Sequence, residues 1–544
     1  MPYEQQQEPG LVQAKLTRAT EDPSSPQNDA VVSLGAHGRG GCSGVLISPM
    51  LVLTAGHCFA GAIEDGGSGN WDSRTPIWKD FQMPEPSPNA DWVTGIKGRS
   101  RIYEGHIIAG FDYRNTVVDN PDACRALCDA EEQCVGWTYK LSERRCFLKQ
   151  QPSFTVFFGN RHGSPHATRQ AHIYSVAGYA DIGIMRLEEP VPPDIAIPAR
   201  VMSHLFDDEA EIRDFLRRQH FEAVGFSMAQ PTRRKAAMSY SEYPLREDLV
   251  MLRVAGENEA TIEGGDSGSP LFLLRRQPDG STQRYVIGIC QGVEGGGGRY
   301  TLTGVNLAVR GSLLSFPYDS SRINRRVAAP IGEWLNNVLY ADFISRHSVV
   351  PLYSWSSASA GDNFLTSDPR WASDPLGIVP DESGQYLDPQ RRQNGDYRMF
   401  RLEGYAFNPK KPQPAGTVPL WLWYHSERKD NFSTTDPRWS SDLPVRWEGE
   451  NIADHRSQEG YTLQSLEGFI YDPKLPQPPN TRPLFSWWCP ARGDNFATTD
   501  PAWAMDPATV RWSGEHITNG RRQHRPEYQL YRLEGYVPAE PVAL

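Results

Sequence analysis

The chain has 544 residues, enough for three or four domains with cores of their own. A formal charge of −11 with no basic run argues against nucleic acid as a partner, because phosphate binding needs a basic stripe. No segment has the apolar length of a membrane-spanning helix, so no membrane span is expected.

Residues 1–29 read as a polar, pro-like segment. Their opening Met-Pro-Tyr-Glu-Gln-Gln-Gln-Glu lacks the apolar core of an export signal, which points to a mature or truncated form or to another export route. Downstream, Leu51 to Cys58 (Leu-Val-Leu-Thr-Ala-Gly-His-Cys) is an apolar strand running into a turn that carries His57. Asp181 opens a second strand, Asp-Ile-Gly-Ile-Met-Arg-Leu, and Gly265 to Pro270 (Gly-Asp-Ser-Gly-Ser-Pro) reads as a nucleophile loop around Ser267. A serine hydroxyl is a weak nucleophile at neutral pH. It needs a neutral imidazole to take its proton and a carboxylate to orient that imidazole, and these three segments supply all three groups.

The three segments resemble the catalytic segments of the chymotrypsin-like (trypsin family, S1) serine proteases. The resemblance implies that His57 is the general base and acid, Asp181 the orienting carboxylate and Ser267 the nucleophile, with the N–H groups of Gly265 and Ser267 forming the oxyanion hole. It extends from about Ala30 to Leu339. Ala30 to Leu34 resembles the first barrel strand, Ala223 to Phe226 the strand entering the second barrel, and Val286 to Gln291 the strand flanking substrate. Pro330 to Leu339 resembles the closing helix, with Ile331, Trp334, Leu335 and Val338 spaced for one helical face. The implied fold is mainly β, two antiparallel Greek-key barrels with the active site in the cleft between them.

The same resemblance places Thr261 at the base of the primary pocket, where its hydroxyl offers no charge to a Lys or Arg of the substrate. Gln291 and Gly292 stand where the family has Ser-Trp. A disulfide between Cys42 and Cys58 is implied, whereas Ala255 and Glu263 occupy positions where further family cysteines would be sought. The family matures by freeing an N-terminal amine that pairs with the aspartate before the nucleophile, here Asp266. Leu16, after Lys15, would supply that amine. Thr17 to Ala19 depart from the family pattern, which leaves open that Asp266 is satisfied by other donors and no processing is needed.

Between His57 and Asp181 lies a surplus of chain with Cys124, Cys128, Cys134 and Cys146. Asn120 can cap a helix entered through Pro121, which puts Cys124 and Cys128 on one face, and two short strands follow. Three, five and eleven residues intervene between successive cysteines, unlike the Cys-x2-Cys pairs favoured by zinc, although four cysteines leave that reading open. The segment resembles a PAN/apple module, a small α+β fold that binds proteins or glycans. That resemblance implies disulfides Cys124–Cys146 and Cys128–Cys134.

After the helix, three units recur. Each carries a Pro-Leu-aromatic start, an Asp-Asn-Phe triplet at Asp362, Asp430 or Asp494, a later Trp (Trp371, Trp439, Trp503), and a closing Leu-Glu-Gly-aromatic. Units this small must share a core, which implies a pseudo-threefold all-β domain resembling a repeat family of unassigned function appended to secreted enzymes. The tryptophans could stack on sugar rings, or they could be core residues beside Asp-Pro turns.

The expected layout is therefore 1–29, a protease domain of 30–97 and 153–343, an insert of 98–152 and a repeat domain of 344–544. The expected activity is that of a secreted, extracellular serine endopeptidase acting on protein or peptide substrates, with no cofactor and no metal. A glycan or cell-surface ligand is expected for the insert and the repeats. The rival readings are a catalytically idle recognition or adhesion protein on the same scaffold, and an esterase, which the motif order disfavours.

Overall fold

The computed structural model describes residues 19–36, 39–56, 58, 85–86, 91–97, 102–104, 106–107, 112–150, 153–161, 166–177, 182–202, 204–206, 209–226, 232–242, 245–246, 249–256, 265–277, 280–294, 297–302, 305–307, 331–368, 371, 392–393, 397–441, 457–503, 512–513, 516–517 and 528–543. The fold is mainly β. Six antiparallel strands close a first barrel: Val31–Ala36, Arg39–Ser48, Leu51–Ala55, Ser153–Phe158, Ala167–Ala177 and Ile182–Leu187. Side chains alternate along each strand, so Val32, Leu34, Leu46, Val52, Phe154 and Val156 share the barrel core. The opposite parity, Val31, Val45, Leu51, Leu53, Ile182 and Ile184, belongs to a different cluster.

That second cluster joins the barrels. It also contains Val224, Phe226, Phe272, Val286 and Ile289 from a second ring of strands, and Leu335 and Leu339 from the helix Ile331–Arg346. The second ring runs Arg234–Glu242, Phe221–Gly225, Pro270–Arg276, Thr282–Glu294, Gly297–Leu302 and Leu249–Gly256, and the pairing of Tyr240 with Val254 closes it.

The last part of the pro-like segment is built into this body. Thr20 and Glu21 pair with Lys235 and Arg234, and the fully buried Arg233 reaches Asp22 at 2.7 Å and Asp29 at 3.0 Å. Its guanidinium also donates to the carbonyls of Pro23, Val31 and Gly159. Residues 20–30 are thereby fastened to both barrels, which sequence patterning does not reveal because every partner of Arg233 is remote in the chain.

In the insert, Asn120 accepts from the Ala123 N–H at 2.9 Å and caps the helix Pro121–Ala130. The helix lies on a sheet ordered Ile102–Glu104, Trp92–Ile96, Gly136–Lys140, Arg145–Lys149, Asp112–Val117. Trp92–Ile96 lies upstream of the expected start at residue 98, yet it pairs along the full length of Gly136–Lys140. Disulfides join Cys124 to Cys146 and Cys128 to Cys134 beneath the helix, where the Cys-Cys spacing of four brings both sulfurs to one side.

The C-terminal domain has three equivalent units. The hairpins are Val349–Ser357 with Asp362–Thr366, Thr417–His425 with Asp430–Thr434, and Thr481–Cys489 with Asp494–Thr498. Each first strand also pairs with a long strand, Tyr397–Phe407, Tyr461–Tyr471 or Gln529–Pro538. Leu352, Leu420 and Leu484 meet Ala406, Ile470 and Val537 in one shared core. The expected boundary at residue 343 falls inside the helix Ile331–Arg346, whose Tyr340 packs in that shared core while Leu335 and Leu339 pack between the barrels.

Candidate active site

Ser267 is half-buried in a reversed loop bracketed by Gly265 at φ +98° and Gly268 at φ +82°. The first barrel holds this loop. Ser43 donates its hydroxyl to the Gly265 carbonyl at 3.0 Å and its N–H to the Ser267 carbonyl at 2.7 Å. The same hydroxyl accepts from the Phe226 N–H at 2.9 Å, and Thr54 donates to the Ser43 carbonyl at 2.7 Å. A Cβ at Gly268 would lie 2.1 Å from both the Ser43 carbonyl oxygen and Thr54 Oγ1, so only glycine permits the approach.

The second barrel holds the other side. The Gly268 N–H donates to the Cys290 carbonyl at 2.8 Å, the Cys290 N–H to Ser269 at 2.9 Å, and the Ser269 N–H to Asp266 at 2.8 Å. Asp266 is buried against Gly225, where a Cβ would stand 2.6 Å from its Oδ1. Cys290 is buried beside it. Burial, reinforced by the Asp266 charge, pushes the Cys290 thiol up, which makes it an inert hydrophobe rather than a nucleophile.

His57, Asp181, Thr261 and Leu16 lie outside the described residues. Their described neighbours converge. Ala55, two residues before His57, is the register partner of Ile182, the residue after Asp181. Cys58, the residue after His57, is bridged to Cys42, and its sulfur stands 3.6 Å from the Ser267 carbonyl oxygen. Gln291 and Gly292 sit on the strand Thr282–Glu294 at an irregularity between Cys290 and Gly292, with Gln291 buried and Gly292 facing open space.

Sequence reasoning passed over Ser43, Thr54 and Gly225. Ser43 stands beside Cys42 and Gly225 lies in the strand leading into the second barrel, but neither carries a chemical signal of its own.

The tail tryptophans are caged. Trp439 is 5 % exposed and stands edge-on to Trp423, Phe432 and Tyr461 at 5.2–5.5 Å. Trp371 and Trp503 make the same perpendicular contacts with their own units. Trp439 is a core residue here, whereas Trp371 and Trp503 pack edge-on against their cores while half-buried, and Trp503 also borders a cleft. The Asp-Asn pairs tie units together: Asn431 donates to Asp362 at 2.7 Å, Asn495 to Asp430 at 2.8 Å and Asn363 to Asp494 at 3.1 Å. The three carboxylates each place an oxygen within 4.8 Å of the others. Burial pushes Asp494 up to about 6, and Asp362 and Asp430 move the same way for the same reason.

Residues 20–76 match the trypsin family model, and residues 105–149 match the PAN domain model. No curated protein matches the chain. The trypsin match spans the strand that ends before His57 and includes Cys42, Ser43 and Cys58, while the PAN match covers the helix and all four cysteines of the insert. The chain is thus similar to the trypsin family over one segment and to the PAN domain over the next.

Proposed function

We propose that the protein is a secreted serine endopeptidase acting through His57, Asp181 and Ser267. The observation that carries this reading is the clamp of Ser43 on the Ser267 loop, which holds that loop of the second barrel to the first, where Ser43 is in turn bonded by Thr54 of the strand that leads to His57. In the reaction, His57 takes the proton of the Ser267 hydroxyl as its oxygen attacks the scissile carbonyl, and the N–H groups of Gly265 and Ser267 receive the oxyanion. His57 then passes the proton to the leaving amine. Water, deprotonated by His57, attacks the acyl-enzyme and returns Ser267. Asp181 orients the imidazole and stabilises its charged form.

Thr261, Gln291 and Gly292 shape the primary pocket, and the lack of a carboxylate at Thr261 disfavours basic residues there. The disulfides, together with the trypsin and PAN matches, support an extracellular setting. Among the described residues no helix is long and apolar enough to cross a membrane. The insert and the tail bind protein or glycan partners outside the cleft. A fluorophosphonate probe tests the reading: peptide mapping is expected to find it on Ser267, and a label that persists in Ser267→Ala would overturn the assignment.

A further inference from the structure

The three units of the tail are not equally filled where they meet. Ser356, Tyr424 and Trp488 occupy one equivalent position, each the register partner of the Asn in its Asp-Asn pair. Where the second unit meets the third, the Arg428 guanidinium lies 5.6 Å from the Trp488 ring and 4.8 Å from Tyr461. Where the third unit meets the first, Arg492 holds the place of Arg428, 5.8 Å from Tyr528, but the aromatic ring is replaced by Ser356. A cleft of about 340 Å³ opens there, lined by Ser356, Phe400, Arg492, Phe496, Trp503 and Tyr528. Phe400 is 47 % exposed at its edge, whereas its counterpart Tyr531 packs on Phe432 at 5.8 Å.

We propose that this cleft is a binding site for an aromatic side chain, an indole or phenol ring presented by a polypeptide partner. The molecule contains the template, since Trp488 fills the equivalent place with its ring beneath a guanidinium, the arrangement a cation and the electron-rich face of an arene favour. The aromatic walls supply edge-to-face partners. The polar lining points away from a sugar: Ser354 and Thr498 already spend their hydroxyls on Glu403, and Asn363 spends its amide on Asp494. The cleft lining also presents ring faces, the Arg492 guanidinium and the Ser356 hydroxyl.

The test is calorimetric titration of the full chain with N-acetyl-L-tryptophanamide and, separately, with simple methyl glycosides. Saturable binding of the tryptophan amide is expected, weakened about threefold or more by Arg492→Ala. Ser356→Trp is expected to abolish it by filling the cleft from within while melting no lower than wild type, and Ser356→Tyr serves as a second plug. Peptide hydrolysis by these variants should stay at the wild-type level, which separates a failure here from a failure of the protease reading. Absent binding, binding that survives both plugs, or saturation by the glycosides in place of the indole would overturn the proposal.

Discussion

Ser43 of the first barrel holds Gly265 of the second, with its hydroxyl 3.0 Å from the glycine carbonyl oxygen, and the same residue bonds the Ser267 carbonyl and the Phe226 N–H, so one serine joins the two barrels at the base of the Ser267 loop. Because that hydroxyl both donates and accepts in a buried place, Ser43→Ala leaves a carbonyl and an N–H without their partner. Each such loss costs about 1–3 kcal/mol. The expected outcome is a lower kcat/KM on a peptide substrate together with a lower denaturant midpoint.

Gly268→Ala should be more severe. The added methyl meets the Ser43 carbonyl oxygen and Thr54 Oγ1 at 2.1 Å, and the positive φ alone costs an L-residue about 1–2 kcal/mol. The loop must shift, and peptide cleavage should fall by about a hundredfold or more for a 1 Å displacement of the nucleophile. Steady-state kinetics beside far-UV circular dichroism would show activity lost with secondary structure retained.

Arg233→Ala should remove the nearest cation from the buried Asp22 and Asp29, leaving Asp22 with Lys235 at 3.6 Å and Arg284 at 3.5 Å and Asp29 with the Ser24 hydroxyl, at a cost of up to about 3–5 kcal/mol. Urea unfolding should show the loss, and limited proteolysis should gain a cut between residues 19 and 30, the segment that Arg233 fastens. An unchanged midpoint with no new cut would contradict the role assigned to it.

The carboxylate ring of the tail gives stability a pH dependence. Asp494 is pushed up to about 6 by burial, against 3.8 for the ordinary carboxyl, so the folded form binds protons more readily than the unfolded chain. Stability from this group is fully present below about pH 4 and is lost as the pH rises through about 6. The loss is roughly 2–4 kcal/mol, and Asp362 and Asp430 act in the same direction. Urea melts of the full chain at pH 4.5 and 7.5 should show the tail less stable at the higher pH, and Asp494→Asn should shrink that difference.

The helix Ile331–Arg346 fixes where the tail can be removed. Asp342 is buried 3.6 Å from Arg186 of the first barrel and 2.8 Å from Arg346, so a cut after Leu339 removes partners of the barrel as well as the tail. A chain ending at Arg346 should cleave small peptides at close to the full rate. One ending at Leu339 should melt at least about 4 °C lower in thermal denaturation.

The reversed turn around Ser267 was legible as a loop because Gly265 and Gly268 flank it, and the insert because Asn120, Pro121 and four cysteines are local signals. Ser43 and Arg233 were not legible, since each acts only through partners brought near by folding. The Leu-Glu-Gly motif marked the three units without showing its task. Glu467 accepts from Thr366, Glu534 from Thr434 and Glu403 from Thr498, each on a neighbouring unit. The glycine that follows lets the strands touch: a Cβ at Gly468 would stand 2.7 Å from Ala406, and one at Gly404 2.6 Å from Val537. Trp439 and its counterparts were open between core and ligand roles from sequence, because an aromatic residue beside a turn suits both; perpendicular packing and burial decide for the core at Trp439, while the half-buried Trp503 packs in its unit and borders a cleft as well.

The central claim is tested most directly by the turnover of a peptide library by the wild type, Ser267→Ala, His57→Ala and the double variant. The account expects each single substitution to lower kcat by about a thousandfold or more and the double to cost little further, because the triad works as a unit. It also expects wild-type activity to rise through about pH 6 to 7 as His57 loses its proton. Near wild-type turnover by Ser267→Ala, or no cleavage of any peptide by the folded wild type, would contradict it.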